Sequence, residues 1–263
     1  MILDELVQST RRNMQARQKV LNIDALMRQV ATIPLNKNFL FEKKLAADSL
    51  SIIAEVKKAS PSKGVLVNHF SYMQIAEEYA AAGATAISVL TEKDHFQGNL
   101  KFLQEIAAST STPLLRKDFT IDPYMIYEAK ANGASIILLI VAILTNQQLK
   151  SFLRLANTLG MSAIVEVHNK NEIDRALAAH ARIIGINNRN LKTFDVSLQT
   201  TIQLQKYVPS NVLLISESGI KKKQDISKLK QAGVNGVLIG EYLMHSTNKK
   251  ALITSLRKVD HLD

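Results

Sequence analysis

The chain has 263 residues, of which 46% are hydrophobic and 21% charged, a balance typical of a large globular domain. It contains no cysteine, which excludes a disulfide framework, a thiolate metal site and a cysteine nucleophile. The formal net charge is +10, but the basic residues are scattered and aromatic residues make up only 5%, which leaves few platforms for stacking bases. We therefore expect an anionic small-molecule partner and no nucleic acid.

The ends of the sequence and its apolar runs indicate no export signal and no membrane span. The first residues, Met1 to Glu5, lack the basic and apolar regions of a secretory signal. The longest apolar run, from Ile136 to Leu144, is too short to cross a bilayer as a helix. We expect a cytoplasmic protein without membrane contact.

Residues 1–48 predict an N-terminal helical extension. Apolar residues recur at helical spacing through residue 30, Pro34 interrupts the pattern, and a further short helix is predicted over 39–47. This opening does not share the repeating pattern that follows it, so we expect it to pack on the main body.

From residue 51 onwards, apolar segments typical of buried strands alternate with helical segments. There are eight such strands, predicted at 51–56, 85–90, 113–117, 135–141, 162–167, 182–187, 212–217 and 236–240. This alternation predicts a (β/α)8 TIM barrel, with residues 1–263 as a single domain. An open doubly wound sheet is the alternative, but no G-x-G-x-x-G motif follows the first strand.

Several helices between the strands carry start and stop signals. Capping boxes are predicted at Ser71 with Gln74 and at Thr145 with Gln148. Asp122 before Pro123 is predicted to cap a third helix, whereas glycines 83, 133, 160 and 233 are predicted to end helices.

Polar and charged residues end most of the predicted strands. In a (β/α)8 barrel these carboxyl ends form the active site. The residues in question are Glu55, Lys57, Thr91, Lys117, Asp118, Glu166, Asn187, Arg189, Glu217 and Ser218. Lysines and glutamates converging there would form an acid–base set, although a network of structural ion pairs is the alternative. A lysine in a crowded, partly desolvated cationic site would have a lowered pKa and donate a proton near neutrality, and a glutamate in an apolar mouth would serve as a base.

The last two strand ends carry a second signal. Ser218-Gly219 and Gly240-Glu241 are typical of loops whose backbone N–H groups bind a phosphate. The histidines show no metal-ligand spacing, so we expect no metal and no cofactor. His168 is interpreted as a loop or capping residue.

These motifs resemble the indole-3-glycerol-phosphate synthase family. The resemblance covers nearly all of residues 50–245, in the segments IIAEVKKASPSKG (52–64), VLTE…FQGNL (89–100), LLRKDFTIDPYMIYEA (114–129), ASIILLIVAIL (134–144), IVEVHN (164–169), IGINNRNLKTF (184–194), ISESGI (215–220) and VLIGEYLM (237–244). It implies a (β/α)8 lyase of tryptophan biosynthesis, acting as a monomer or weak homo-oligomer. The substrate would be 1-(2-carboxyphenylamino)-1-deoxyribulose 5-phosphate, an anionic phosphorylated small molecule that undergoes ring closure with loss of CO2 and water.

The resemblance also implies roles for individual residues. Lys117 would be the general acid, Glu166 the base and Lys57 the partner of the substrate carboxylate. Four residues would orient these groups and the sugar: Glu55, Asn187, Glu217 and Ser218. Arg189 would contact the carboxylate end; an apolar slot for the aromatic ring would consist of Phe96, Phe119, Leu138 and Leu191. The phosphate would bind at Ser60, Gly219, Gly240 and Glu241.

There are two alternatives, the second of which belongs to a different class of protein. Phosphoribosylanthranilate isomerase, another phosphosugar barrel, favours a cysteine–aspartate pair that this chain cannot form. A non-catalytic regulator or nucleic-acid binder on a degraded barrel would have no need of Lys117, Lys57 and Glu166.

Overall fold

The computed structural model describes residues 2–47, 49–67, 69–191 and 193–258. Met1, Asp48, Asn68, Lys192 and residues 259–263, all part of the predicted domain, lie outside the described residues. Within them, eight parallel strands close into a barrel in which each strand pairs with its neighbours in sequence and the last pairs with the first. These are β1 (Ser51–Val56), β2 (Ala86–Leu90), β3 (Leu114–Lys117), β4 (Ile136–Ile140), β5 (Ser162–Val167), β6 (Ile183–Asn187), β7 (Leu213–Glu217) and β8 (Gly236–Ile239).

The predicted (β/α)8 barrel is therefore confirmed, and each strand begins and ends within one residue of its predicted bounds. An antiparallel pair of two-residue strands, Ala59–Ser60 with Gly64–Val65, follows β1 and was not predicted.

Helices precede the barrel and alternate with its strands. The extension contains α1 (Ile2–Val20), α2 (Ile23–Ala31) and α3 (Leu40–Leu45). The barrel helices are α4 (Tyr72–Ala81), α5 (Leu100–Ser109), α6 (Pro123–Ala131), α7 (Asn146–Thr158), α8 (Lys170–Ala178), α9 (Gln199–Leu204), α10 (Lys223–Gln231), α11 (Glu241–Met244) and α12 (Lys249–Arg257). Among the helices that the structure describes, none is long and apolar enough to cross a membrane.

Most of the predicted helix signals are confirmed. The Asp122 carboxylate accepts a hydrogen bond from Tyr124 N (2.9 Å), and the capping box of Thr145 and Gln148 forms in both directions. The capping box predicted at Ser71 is wrong: the backbone there has φ −87° and ψ 73°, and its side chain makes no capping bond among the described residues. Gly83, Gly133, Gly160 and Gly233 all follow helices at positive φ, as predicted.

Side-chain alternation along the strands separates two cores. Outward residues such as Ile52, Ala54 and Val56 pack against the helices, whereas inward residues such as Ile53 fill the barrel. The inward positions of the upper layer continue the same alternation but are polar: Glu55, Lys117, Glu166, Asn187 and Glu217. Period-two geometry thus brings these five side chains to one end of the barrel axis.

The extension closes the opposite end of the barrel and also contacts its side. In α3, Phe41 and Leu45 are almost fully buried and belong to the same apolar cluster as inward Ile53 and Ile215. On the side, Arg17 of α1 forms an ion pair with Glu128 of α6 (2.6 Å).

Glu128 in turn contacts a buried arginine beside the predicted general acid. Arg116 Nη1 lies 2.9 Å from Glu128 Oε2 and donates to Met125 O (2.9 Å), and Arg116 Nη2 lies 3.1 Å from Asp118 Oδ2. Because a buried guanidinium needs several acceptors, these contacts hold β3 in place next to Lys117.

Candidate active site

A cavity of about 440 Å³ opens at the carboxyl ends of the strands. Thr91, predicted at the end of the second strand, does not line it, and its hydroxyl donates to Asp118 Oδ2 (2.5 Å). The cavity is lined by every residue to which the resemblance assigned a role, namely Glu55, Lys57, Ser60, Phe96, Lys117, Phe119, Leu138, Glu166, Asn187, Arg189, Leu191, Glu217, Ser218, Gly219, Gly240 and Glu241. Their position at one cavity agrees with the register of the strands. Their chemical roles remain predictions.

Lys117 lies at the centre of the cavity floor, between two buried carboxylates. Its Nζ is 3.4 Å from Glu166 Oε2 and 3.6 Å from Glu217 Oε2. Burial lowers the pKa of Lys117, but the charges of Glu166, Glu217 and Glu55 outweigh it and raise the pKa above its ordinary value. The expectation of a lowered lysine pKa is therefore wrong, because the neighbouring side chains are acidic rather than basic.

The pKa values of the two carboxylates beside Lys117 are shifted in opposite directions. Burial raises the pKa of Glu166, but Lys117, His168 and Asn187 lower it below its ordinary value. Burial raises the pKa of Glu217 to about 7, a shift that Lys117 opposes and that Glu166 and Glu55 reinforce. Within the described residues Glu217 Oε1 has no hydrogen-bond partner, whereas Glu166 Oε1 accepts from Asn187 Nδ2 (3.1 Å). Of the two carboxylates beside Lys117, Glu217 is thus the one whose pKa lies near neutral pH.

Two glycines make room for the buried carboxylates. A Cβ at Gly185 would collide with Glu217 Oε1, and a Cβ at Gly240 would collide with Glu55 Oε1. Glu55 in turn holds Lys57, whose Nζ lies 2.7 Å from Glu55 Oε1. The buried carboxylates can therefore occupy the cavity floor only because both of these positions are glycine.

Aromatic residues form one wall of the cavity. The rings of Phe96 and Phe119 lie 6.3 Å apart between centroids and are tilted by 45°, and Leu138 is buried below them. Such rings offer an apolar face to a planar ligand.

A buried glutamate that sequence reasoning did not single out supports this wall. Glu92 Oε2 accepts hydrogen bonds from His95 N (2.8 Å) and Phe96 N (3.0 Å), and Oε1 accepts from Asp94 N (3.1 Å) and Ser9 Oγ (3.1 Å). Since Ser9 belongs to α1, one carboxylate ties the extension to the loop that carries Phe96.

The opposite rim is built from the predicted phosphate loops. Ser218 and Gly219 both have positive φ (68° and 90°), and Asn188 Nδ2 donates to Ser218 O (3.1 Å) to hold this turn. The buried hydroxyl of Ser60 has no hydrogen-bond partner among the described residues. A buried polar atom of this kind, beside a tight turn that leaves backbone groups accessible, suits an anionic ligand.

Arg189 does not point freely into the site. Its Nη2 lies 3.2 Å from Glu241 Oε1, and its Nη1 donates to Phe194 O and to Ser62 Oγ, each at 3.4 Å. The guanidinium thus links the loop after β6 to the loop after β8. No group of three or more His, Asp or Glu residues that could hold a metal ion is present in the described part of the chain.

His168 is more than the loop residue that the sequence suggested. It contacts the carboxylates of both Glu166 and Glu172. The signal for this contact was present in the sequence as Glu166-Val-His168, because residues two apart at the end of a strand share a face.

Fold and site together define a (β/α)8-barrel enzyme with acid–base groups at the carboxyl ends of its strands. Residues 3–256 match the family of indole-3-glycerol phosphate synthase. The chain belongs to this family. Membership makes it a lyase of tryptophan biosynthesis that closes an indole ring with loss of CO2.

Individual relatives are similar over nearly their full length. An indole-3-glycerol phosphate synthase of Leuconostoc mesenteroides is 54% identical over 259 residues, which cover 98% of this chain and 99% of the relative. The enzyme of the same name from Ruminiclostridium cellulolyticum is 45% identical over 257 residues, covering 98% and 99%. Among solved structures, a 3-hexulose-6-phosphate synthase superposes with a TM-score of 0.63 at 12% identity, over 79% of this chain and 98% of that one, which supports the fold alone.

Proposed function

We propose that the cavity converts 1-(2-carboxyphenylamino)-1-deoxyribulose 5-phosphate into indole-3-glycerol phosphate. In this reaction the ring carbon that bears the carboxylate attacks the C2′ carbonyl of the sugar chain. The new C–C bond forms as the carbonyl oxygen takes up a proton, CO2 then leaves from the same ring carbon, and loss of water completes the indole. The site must therefore supply a proton, accept another and bind two anionic groups.

The observation that carries this proposal is Lys117 held between Glu166 and Glu217 at the cavity floor. Lys117 acts as the general acid that protonates the C2′ oxygen during ring closure. Because its pKa is raised, Lys117 is protonated when the substrate arrives. Negative charge that develops on the carbonyl oxygen then competes with the two carboxylates for this proton.

Glu166 acts as the base, and its basicity is coupled to the state of Lys117. While Lys117 is charged, it lowers the pKa of Glu166, whose anion stabilises positive charge on the anilino nitrogen. After Lys117 has given up its proton, its contribution disappears and the pKa of Glu166 rises, while His168 and Asn187 continue to oppose the effect of burial. Glu166 therefore becomes a proton acceptor at the stage at which dehydration requires one.

The remaining residues bind and orient the substrate. Lys57 pairs with the substrate carboxylate until CO2 leaves and is itself held by Glu55 (2.7 Å). Arg189 contacts the same end of the substrate, and its pairing with Glu241 keeps it at the cavity edge (3.2 Å). The aromatic ring lies in a slot formed by Phe96, Phe119, Leu138 and Leu191. Asn187, Glu217 and Ser218 orient the catalytic groups and the sugar hydroxyls.

The phosphate binds on the glycine side of the cavity, at Ser60, Gly219, Gly240 and Glu241. Glu241 contributes its backbone N–H, because its carboxylate would repel a dianion and is engaged by Arg189. The unpartnered Ser60 hydroxyl supports an anion at this point.

The test is the growth of indole-3-glycerol phosphate fluorescence with purified protein and the carboxyphenylamino substrate. Lys117→Ala should lose about 10²-fold or more in kcat, as expected for a general acid. Glu166→Gln should lose kcat with a smaller change in KM, which separates a base from a binding residue. Lys150→Ala on the exposed face of α7 is the matched control and should keep wild-type turnover. Near-normal turnover of Lys117→Ala would contradict the assignment.

A further inference from the structure

His168 follows β5 at the edge of the cavity floor, where its ring lies between two carboxylates. Nδ1 is 3.0 Å from Glu172 Oε2, and Nε2 is 3.3 Å from Glu166 Oε1. The side chain is 16% exposed, so water screens these contacts weakly.

The partners on both sides fix the protonation state of the ring. Carboxylates only accept hydrogen bonds, and a ring nitrogen without a proton would turn its lone pair toward one of them. Only the doubly protonated imidazolium suits both neighbours. Burial lowers the pKa of His168, but Glu166 and Glu172 outweigh it and raise the pKa to about 10.

The second carboxylate is held in place by the first turn of α8. Glu172 Oε2 accepts from His168 N (2.8 Å), and Oε1 accepts from Asn169 Nδ2 (2.8 Å). Asn169 Oδ1 accepts in turn from Glu172 N (3.0 Å). The imidazole is therefore attached to the start of a helix rather than to a free loop.

We propose that His168 is a positioning residue for the base Glu166. Asn187 Nδ2 donates to Glu166 Oε1 (3.1 Å), and the charge of the imidazolium attracts the same oxygen (3.3 Å), which leaves Oε2 facing Lys117 (3.4 Å). Among the described residues Nε2 has no hydrogen-bond partner of good geometry, so its charge carries the contact with Glu166. The inference rests on the proposed role of Glu166 as base.

A pH dependence follows from this arrangement. The charged groups that face the imidazole are Glu166 of its own strand and Glu172 of α8, and behind Glu166 stand Lys117 of β3 and Glu217 of β7. As the pH rises through about 10, His168 loses its proton and no longer holds Glu166 Oε1. Lys117 keeps its proton in this range because its own pKa is raised further. Turnover should therefore decline near pH 10 in the wild-type enzyme.

Two substitutions separate geometry from charge. His168→Ala removes both contacts and should lower kcat about tenfold at pH 8 while KM changes less than about threefold, because orientation rather than binding is lost. His168→Gln supplies an amide donor without charge and should stay within about threefold of His168→Ala in kcat, because the charge of the imidazolium carries the contact with Glu166. Neither variant should show the decline near pH 10, since neither titrates there. His69→Ala, at an exposed histidine outside the cavity lining, should behave as wild type in every respect.

Further measurements decide between the outcomes. In protein labelled with ¹⁵N-histidine, the His168 signals are identified as those missing from His168→Gln. Their chemical shifts at pH 8 should be those of a doubly protonated ring. Thermal unfolding checks that each variant is folded. Wild-type kcat in folded His168→Ala, or a decline near pH 10 that persists in His168→Gln, would overturn the inference. Glu166→Gln in the same assay separates the two proposals: if it is inactive while His168→Ala is normal, only this inference fails. If Glu166→Gln is fully active, the role of Glu166 fails and this inference fails with it.

Discussion

Glu92 connects the N-terminal extension to the substrate slot, so its removal should affect both stability and binding. Its carboxylate is 2% exposed and accepts four hydrogen bonds, from the backbone of residues 94–96 and from Ser9 Oγ. Glu92→Ala leaves the backbone N–H groups of residues 94–96 without this acceptor, whereas Ser9 Oγ still donates to Asp94 Oδ2. Asp94 keeps a separate contact with α1, because its Oδ2 accepts from Asn13 Nδ2 (2.9 Å), so the helix remains attached.

The expected cost follows from the surroundings of the loop. A hydrogen bond to a charged acceptor contributes about 1.5–3 kcal/mol, but exposed parts of the 94–97 loop can bond to water once it loosens. We therefore expect Glu92→Ala to lower the free energy of unfolding by about 2–4 kcal/mol, less than four such bonds would suggest. A loosened Phe96 should raise KM about tenfold, with a smaller effect on kcat, because the aromatic wall is no longer pre-organised.

Urea unfolding and steady-state kinetics on the same preparations test this expectation. Ser9→Ala is the comparison variant: it removes the contacts of Ser9 with Glu92 and Asp94 but keeps the three backbone bonds to Glu92, so it should cost about 1–2 kcal/mol with KM unchanged. If Glu92→Ala matched Ser9→Ala in both stability and KM, the carboxylate would not organise the wall and the reasoning would be refuted.

Three further outcomes are expected at the ends of the barrel. Gly185→Ala should reduce kcat about tenfold, since its Cβ would displace Glu217; full activity would show that the floor adapts. Phe41→Ala should lower the free energy of unfolding in urea by about 3–5 kcal/mol, and a loss below 1 kcal/mol would deny its role in closing the barrel. Because the pKa of Glu217 is raised to about 7, the free energy of unfolding of the wild type should fall as the pH rises from about 4.5 to 7 and the buried carboxyl ionises. The Tm of Glu217→Gln minus that of the wild type should therefore be larger at pH 8 than at pH 5. Equal differences at the two pH values would contradict the raised pKa.

The barrel could be predicted because its strands are buried on both faces and its helices carry local signals. β1 and β5 are apolar apart from their ends, and the N-cap Asp122 followed by Pro123 marks the start of α6. The prediction of a capping box at Ser71 was wrong because the same residue spacing also occurs where no capping bond forms. The backbone there has a conformation in which the side chain makes no capping bond. Local rules predict an element best when its bonding partners are also local.

The convergence of the candidate residues on one cavity could be predicted, but their electrostatics could not. Alternation shows that Lys117 and Glu166 point inward, yet the sign of the pKa shift at Lys117 depends on which charges surround it in space. Three carboxylates converge there, from strands that are far apart in sequence. The supporting contacts of Glu92 and His168 were missed for a similar reason, since each depends on a partner fixed by the folded backbone.

The floor of the cavity is best understood as a charge balance set before substrate arrives. Lys57, Lys117 and His168 face the carboxylates of Glu55, Glu166, Glu217 and Glu172, and near pH 7 Glu217 is partly protonated, so the opposite charges nearly cancel. Binding of the substrate carboxylate beside Lys57 would weaken the hold of Lys57 on Glu55 and raise the pKa of Glu217 further. Substrate should therefore bind with uptake of a proton. Since loss of CO2 removes that anion, the same proton is released again in the second half of the reaction, when dehydration needs groups able to exchange one.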